Sequence, residues 1–354
     1  TSLLRLLRAA RLPLLRGHPL VYGDWMKPAV VWLVCGLVLG CGGSRGTSGA
    51  ATATDTPAFE IHEWGVITTS SAGTVVSAGP PGAPVPLMAV EKPVLYLHAS
   101  APLAVQLEVL VGAGFSVPEH YPPSNNMHWS VQATPGACPE RHAYPSACAS
   151  PDGVCEVPEL PRYETTDAAC LRVGEHQLPL LFYRLGAEGH VTLPTEVRVH
   201  GSEVSARATR DGVSGWRVAV VDGEVRAVPV TLGQAWHLLP TPSQPWTDAA
   251  AALNTALRDS GLTDEERAAF QRAWWQELFD APPPSRVTDD PLEEQAEDQV
   301  AEIPEEAERW RRTEPVLDVL IYMMTPDEID RVARIIATPT PNAISRAFLV
   351  RHVL

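Results

Sequence analysis

The 354-residue chain has little positive charge and lacks the short motifs that identify nucleotide chemistry. Its only lysines are Lys27 and Lys92, and 27 basic residues stand against 42 acidic ones, a formal net charge of −15. Because such a chain is repelled by a phosphate backbone, nucleic acid is not expected as a partner. No Gly-x-x-x-x-Gly-Lys-Ser/Thr loop occurs, and no Gly-x-Gly-x-x-Gly follows a strand-like run. Nucleotide-dependent chemistry is therefore not expected, and no cofactor is predicted.

The sequence also contains little that predicts long helices, a known catalytic motif or a membrane-spanning segment. The chain has 34 prolines, nearly one residue in ten, which argues against a helical bundle. It contains no Gly-x-Ser-x-Gly elbow and no His-Glu-x-x-His zinc motif. The apolar run at 28–39 is too short to span a bilayer, which requires about 20 apolar residues.

That apolar run, behind Met26-Lys27, is typical of the core of a secretory signal. It ends in Leu-Val-Leu-Gly-Cys, which resembles the lipobox of bacterial lipoproteins. The resemblance implies that residues 26–40 are removed and that Cys41 is diacylated as the mature N-terminus. The Gly- and Ser-rich residues 41–57 then form a flexible tether. A plain cleaved signal is the alternative.

Two further expectations concern this region. Residues 1–25 precede a complete signal, so we interpret them as an upstream extension; the alternative is a basic amphipathic helix on a membrane surface. Gly42, rather than an aspartate, follows the lipidated cysteine, which resembles outer-membrane delivery in Gram-negative sorting. The expected location is the cell envelope, with lipid anchoring in the outer membrane.

The mature chain divides into two compositional parts. Residues 58–240 contain short runs of alternating apolar and polar residues separated by Pro, Gly and Ser. The runs are 65–69, 94–98, 104–111, 180–183, 196–200, 215–221 and 224–230. Asp222-Gly223 between the last two predicts a hairpin turn. The fold class predicted is α+β, with an antiparallel, sandwich-like β domain.

Residues 246–354 form a smaller, helical and acidic part that ends in a strand. Helices are predicted at 248–260 and from Thr263, where Thr263 and Glu266 form a capping box. An acidic run at 289–308 is expected to be a solvated segment. A strand at 316–323, a short helix at 326–336 and a strand at 347–354 complete the chain.

Five short motifs are spread across the folded part. They are His62-Glu63-Trp64-Gly65, Lys92-Pro93-Val94-Leu95-Tyr96, Glu119-His120-Tyr121-Pro122, Phe182-Tyr183-Arg184 and the terminal Arg346-Ala347-Phe348-Leu349-Val350-Arg351. Together they resemble a family of uncharacterised secreted or lipid-anchored bacterial proteins, over roughly residues 59–354. That family has no assigned activity, so the resemblance implies no catalytic residues.

Two adjacent pairs are the candidates for chemistry: His62-Glu63 and Glu119-His120. If they converge, Glu63 and Glu119 could act as paired carboxylates, and His62 and His120 could ligate a metal such as zinc. Adjacent strand residues point to opposite faces, so only one member of each pair could face a shared site. We therefore favour a structural interpretation, in which the aromatic neighbours pack in the core and the charged residues pair locally.

Four cysteines remain after processing: Cys138, Cys148, Cys155 and Cys170. Their segment lacks a sustained apolar period and cannot order itself by burial alone. Because the expected compartment is oxidising and no Cys-x-x-Cys pair occurs, we predict two disulfides, with all three connectivities open. His142 is then an ordinary loop residue.

Two functional hypotheses follow. The leading one is a non-enzymatic binding or structural module in the envelope, with the membrane as one partner and an unidentified envelope ligand as the other. The competing one is a metal-assisted or carboxylate-based hydrolase of an envelope polymer, built on Glu63, Glu119 and the neighbouring histidines.

Overall fold

Each apolar–polar run predicted as a strand overlaps a strand of the structure. The structure is a computed structural model and describes residues 58–70, 88–146, 155–187, 193–281 and 317–354. The predicted extension, signal, lipidation site Cys41 and tether, together with the acidic run at 289–308 and Cys148, lie outside the described residues.

Strands dominate, and helices are few among the described residues. The strands are β1 (Phe59–Ser70), β2 (Met88–Ala99), β3 (Leu103–Val111), β4 (Phe115–Tyr121), β5 (His128–Thr134), β6 (Cys170–Val173), β7 (His176–Leu178), β8 (Leu181–Ala187), β9 (Thr195–His200), β10 (Glu203–Ala208), β11 (Val213–Val221), β12 (Glu224–Leu232), β13 (His237–Leu238), β14 (Gln244–Pro245), β15 (Asp318–Met323), β16 (Ala333–Thr338) and β17 (Ala343–Val353). The helices are α1 (Trp246–Asp259), α2 (Asp264–Phe279), α3 (Pro326–Val332) and a 3₁₀ helix at Val157–Tyr163.

The described strands form three sheets. The central sheet has the order β14-β12-β11-β15-β17-β1-β2-β8-β4; the outer sheet is β16-β3-β5-β6-β7 and the small sheet is β13-β10-β9. Pairing is antiparallel, as predicted, except that β1 and β17 run parallel at the middle of the central sheet. The β-rich α+β class is confirmed.

The central sheet has a different layer on each face. On one face, the sandwich side, its buried residues pack with those of the outer and small sheets. On the other face, the helix side, they pack with α1, α2 and the 3₁₀ helix. Side chains alternate along each strand, so neighbouring residues enter different cores. In β1, Ile61 belongs to the sandwich-side core and Trp64 to the helix-side core.

Local predictions in this region are confirmed. Asp222 and Gly223, with φ of 53° and 80°, join β11 to β12 as a hairpin. The capping box of Thr263 and Glu266 begins α2. One face of α2 is buried; it comprises Ala269, Phe270, Trp274 and Leu278.

Two differences from prediction occur near the C-terminus. The helix predicted at 326–336 ends at Val332, and the next six residues form β16, which pairs with β3. The C-terminal part also lacks a core of its own among the described residues, because β15 and β17 complete the central sheet. Residues on both sides of position 240 therefore share the same cores.

Candidate metal centre

His62, His98 and Glu266 meet on the helix side of the central sheet. His62 lies on β1 and His98 on the neighbouring β2, where His98 is opposite Glu60 in register. Both imidazoles point in the same direction as Tyr96, toward α2. Glu266, in the first turn of α2, faces them from above the sheet. The topology thus gathers three residues that are far apart in sequence.

The contacts in this group are short. His62 Nδ1 lies 2.9 Å and 3.1 Å from the two carboxylate oxygens of Glu266, and His98 Nε2 lies 2.8 Å from Oε1. The three candidate donor atoms are all within 4.8 Å of one another. Glu266 is fully buried and His62 is 4% exposed, whereas the His98 side chain is 20% exposed. Solvent therefore reaches the group past His98.

The start of α2 is held against the sheet by local sequence. Thr263 donates its backbone N–H to Glu266 Oε2 at 2.8 Å, and its hydroxyl accepts the N–H of Glu266. Gly261, in the turn before α2, has φ +91°, and a Cβ there would lie 2.4 Å from Ser345 Oγ on β17. Only glycine permits both that dihedral and that approach. The turn therefore fixes how closely Glu266 approaches β1.

The histidines keep Glu266 ionised although it is buried. Burial by itself raises the pKa of the Glu266 carboxyl, but the hydrogen bonds from His62 and His98 outweigh it and lower that pKa to about 2. For His62, burial lowers the pKa, and the carboxylates of Glu266 and then Glu60 reverse this and leave the pKa above its usual value. The group is a buried anion with two imidazole partners.

Glu60 adds a second carboxylate on the solvent side. Its Oε2 lies 3.4 Å from His62 Nε2, the ring nitrogen that faces away from Glu266, and its side chain is 50% exposed. His62 is thus flanked by carboxylates at both nitrogens. A metal-ligating histidine typically has this arrangement, because a carboxylate that accepts the second N–H fixes the ring and its tautomer.

Glu63, one of the predicted catalytic candidates, faces the sandwich side. It accepts the hydroxyl proton of Tyr183 at 2.6 Å and the Nε–H of Arg346 at 2.6 Å, and Asp330 accepts from Arg346 Nη1 at 2.7 Å. Glu63 is fully buried and Arg346 nearly so. The carboxylate is enclosed by structural partners, as the favoured interpretation of these pairs predicted.

Glu119, the other carboxylate candidate, is on the helix side. It accepts backbone N–H groups of Glu156 and Val157 at the start of the 3₁₀ helix, and the Nε–H of Arg184 at 3.3 Å. Glu63 and Glu119 therefore point to opposite faces of the sheet. The hypothesis that they form paired catalytic carboxylates is wrong.

The two histidine candidates also separate. His120 Nε2 contacts the backbone of Ser124, and its ring packs edge-on against Trp129 in the sandwich-side core. β4 lies three strands from β1, about 14 Å at the usual spacing. A metal site shared by His62 and His120 is therefore excluded, while His62 itself is part of the observed group.

The cysteine prediction is confirmed for one pair. Cys138 and Cys170 form a disulfide that closes a sequence separation of 32 residues. Cys155 is also disulfide-bonded. The pairing of Cys148 stays a prediction.

Sequence reasoning missed His98 and the second role of Glu266. His98 lies two residues beyond Tyr96. The alternation of side chains along a strand therefore predicts that both residues point to the same face of the sheet. Which strand lies beside it depended on the pairing of β1 with β2, which no local pattern specifies. The capping box alone accounts for Glu266 in the sequence, and no local pattern indicates that its carboxylate also belongs to a site.

Among the described residues, no helix has the length and apolar character that crossing a bilayer demands. Comparison of the chain with protein-family models, with curated proteins and with solved structures finds no match.

Proposed function

We propose that the protein is a lipid-anchored binding protein of the cell envelope and that its ligand is a divalent transition-metal ion. The ion is held by His62 Nδ1, His98 Nε2 and a carboxylate oxygen of Glu266. One observation carries the proposal: these three donor atoms lie within 4.8 Å of one another on three different elements. Imidazole and carboxylate together are a ligand set for zinc.

The spacing supports zinc. A tetrahedral ion with bonds of about 2.0–2.1 Å sets its ligand atoms about 3.4 Å apart. Each histidine nitrogen is 2.8–2.9 Å from a Glu266 oxygen. The two imidazole nitrogens lie within 4.8 Å of each other. Side-chain rotations that lengthen the contacts with Glu266 and bring these two nitrogens toward the tetrahedral spacing would accommodate the ion.

The surroundings support the same assignment. Glu60 is placed to accept the Nε2–H of His62, and Thr263 holds the Glu266 carboxylate through its backbone N–H. Such outer partners orient ligands and raise their basicity. Three protein ligands leave a fourth position, and the partial exposure of His98 places it on the solvent side. That position can take water or a group of an envelope ligand.

The anchor remains part of the proposal. Cys41 would carry the diacylglycerol, and residues 41–57 would tether the folded domain to the outer membrane. This rests on the lipobox-like sequence and on the resemblance to secreted and lipid-anchored bacterial proteins. A thioether-linked diacylglycerol and an amide-linked acyl chain on Cys41 together meet the requirement for stable anchoring.

Metal analysis tests the binding function. Protein extracted from membranes in detergent, without chelators, should contain one equivalent of zinc. His62→Ala, His98→Ala and Glu266→Gln should each weaken zinc binding by at least about 100-fold, since loss of an outer partner alone costs about 10–100-fold. His120→Ala and His237→Ala are the controls, because one lies on the opposite face and the other on the small sheet; both should keep the metal.

Stability gives a second readout. Zinc added to stripped protein at about 100 times its Kd should raise the free energy of unfolding by about 2.7 kcal/mol. The three ligand variants should lose this increase while they keep a native circular dichroism spectrum. A wild-type protein that is purified metal-free and is not stabilised by zinc would rule out the metal-binding function.

A metal-assisted hydrolase is the second candidate, favoured by the His₂Glu ligand set with an open position, which zinc peptidases also use. Zinc-dependent release of fragments from purified envelope polymers, abolished by His98→Ala, would establish it. Zinc binding without turnover leaves the binding function as the conclusion.

Fractionation tests the anchor. Cys41→Ser should release the protein from membranes or leave it uncleaved, because both lipid attachments depend on that thiol. A Cys41→Ser protein that still sediments with membranes after a high-salt wash would show that lipidation is not the anchor.

A further inference from the structure

A second convergence of metal-ligating side chains lies at the β4 edge of the central sheet, three strands from His62. The hydroxyl of Tyr121 is 2.7 Å from His142 Nε2 and 3.3 Å from His176 Nδ1. The three rings form a nearly equilateral triangle, with centroid separations of 5.7 Å, 5.4 Å and 5.7 Å. One nitrogen of each imidazole therefore points at the same oxygen.

Two strands and a loop supply these residues. Tyr121 ends β4, and His176 begins β7. His142 lies four residues beyond Cys138, whose disulfide to Cys170 holds this segment against β6. Tyr121 is 4% exposed and both histidines are half-buried. His142 is in a loop, as predicted, but its contact with Tyr121 was not predicted.

We infer that Tyr121, His142 and His176 form a separate site for a copper(II) ion. Two imidazole nitrogens and a phenolate oxygen are a donor set that suits copper(II), which also forms the strongest complexes of the divalent first-row metals. Disulfides such as Cys138–Cys170 persist in oxidising compartments, where copper remains divalent. Binding replaces the phenol proton: the O–H bond breaks, the oxygen binds copper, and one proton leaves to solvent. No electron is transferred.

A phenolate ligand gives this site a signature that the His62 group cannot produce, because no phenol belongs to that group. Stripped full-length protein titrated with copper(II) should develop a visible phenolate-to-copper charge-transfer band that saturates at one equivalent. Its electron paramagnetic resonance spectrum should show coupling to two nitrogens. Tyr121→Phe should abolish the band, although the two histidines should still bind copper with a lower affinity. His142→Ala and His176→Ala should each weaken the binding that produces the band by at least about 100-fold.

Matched variants distinguish a copper-binding site from a purely structural contact among these three side chains. Tyr144→Phe removes a neighbouring phenol whose ring packs on Tyr121 and should leave the band unchanged. His128→Ala removes an exposed histidine on β5 and should also leave it unchanged. A band that survives Tyr121→Phe, or copper binding that is the same in the His142→Ala/His176→Ala double variant, would overturn the inference. The copper titrations are made in a His62→Ala/His98→Ala background, so neither result depends on whether His62, His98 and Glu266 bind a metal.

Discussion

Glu63 on β1 and Arg346 on β17 are cross-strand neighbours, 283 positions apart in sequence, and their side chains form an ion pair inside the protein. The pair joins the two parallel strands at the middle of the central sheet. Tyr183, two strands away on β8, donates its hydroxyl proton to the second carboxylate oxygen of Glu63. Glu63, Tyr183 and Arg346 come from three of the short motifs described in the sequence analysis.

Removing either partner of this ion pair should lower the free energy of unfolding. Arg346→Met leaves Glu63 buried without its counter-ion, and Glu63→Gln leaves Arg346 with only the partly exposed Asp330. Each variant should lose about 3–5 kcal/mol of the free energy of unfolding, the usual result when one partner of a buried pair is removed. Urea denaturation measures the loss.

The control for this prediction removes all the polar partners together. Glu63→Leu/Arg346→Met/Tyr183→Phe leaves no buried charge or hydroxyl at this point, so it should be less destabilised than either single variant. The exposed pair of Arg258 and Asp259 serves as a reference, and Arg258→Met should change stability by less than about 0.5 kcal/mol. Single variants that unfold like this reference would contradict a stabilising role for the ion pair.

Local patterns predicted many of the elements, but not β4, β5 or β10 and not the contacts between elements. Strand alternation, the Asp222-Gly223 turn and the capping box of α2 each depend on residues close in sequence, and each was predicted. The Glu63–Arg346 pair depends on the placement of β17 beside β1, which no nearby residue indicates. His98 depends on strand register in the same way.

β16 shows a local signal overridden by tertiary structure. Thr325, Pro326 and Glu328 are strong helix-start residues, and they do begin α3. The following residues then pair with the edge of β3 and bury Ala333 and Ile335 in the sandwich-side core. Pairing with an available strand outweighs the modest difference in intrinsic propensity.

His352 should make stability sensitive to acid. It is 7% exposed, and neither ring nitrogen has a hydrogen-bond partner in the part of the chain that the structure describes. Burial lowers its pKa to about 4. Between that value and the ordinary value of about 6.5, the unfolded chain binds the proton more readily. Stability contributed by neutral His352 is therefore present above about pH 6.5 and falls by about 3 kcal/mol as the pH drops to about 4.

The contribution of His352 is measured as a difference. Free energies of unfolding of the wild type and of His352→Leu should be compared from pH 7.5 to pH 4. The difference should shift in favour of the variant as the pH falls. His62 acts in the opposite sense, because its raised pKa favours the folded state at lower pH, and subtraction cancels its effect. A difference that stays constant across this range would contradict the prediction.

Gly261 should prove more sensitive to substitution than other glycines with positive φ. Gly261→Ala incurs left-handed strain of about 1–2 kcal/mol and also places a methyl group against Ser345. Gly223→Ala is the matched control, because Gly223 has φ +80° and nothing lies within 4 Å of the added carbon. Gly261→Ala should lose at least about 1 kcal/mol more in chemical denaturation. It should also weaken zinc binding, whereas Gly223→Ala should not; equal losses would show that the close approach has no consequence.

The disulfides provide the last prediction. With Cys138 bonded to Cys170 and Cys155 also oxidised, the two-disulfide prediction leaves Cys148 as the partner of Cys155. Unreduced mature protein should weigh four hydrogens less than the reduced form and should not react with an alkylating reagent. In the chain-entropy model the longer loop contributes about 4 kcal/mol and the shorter about 2 kcal/mol. Cys170→Ser should therefore destabilise more than Cys148→Ser/Cys155→Ser does. Thiols that react only after a chelator is added would show that these cysteines bind a metal instead of forming the second disulfide.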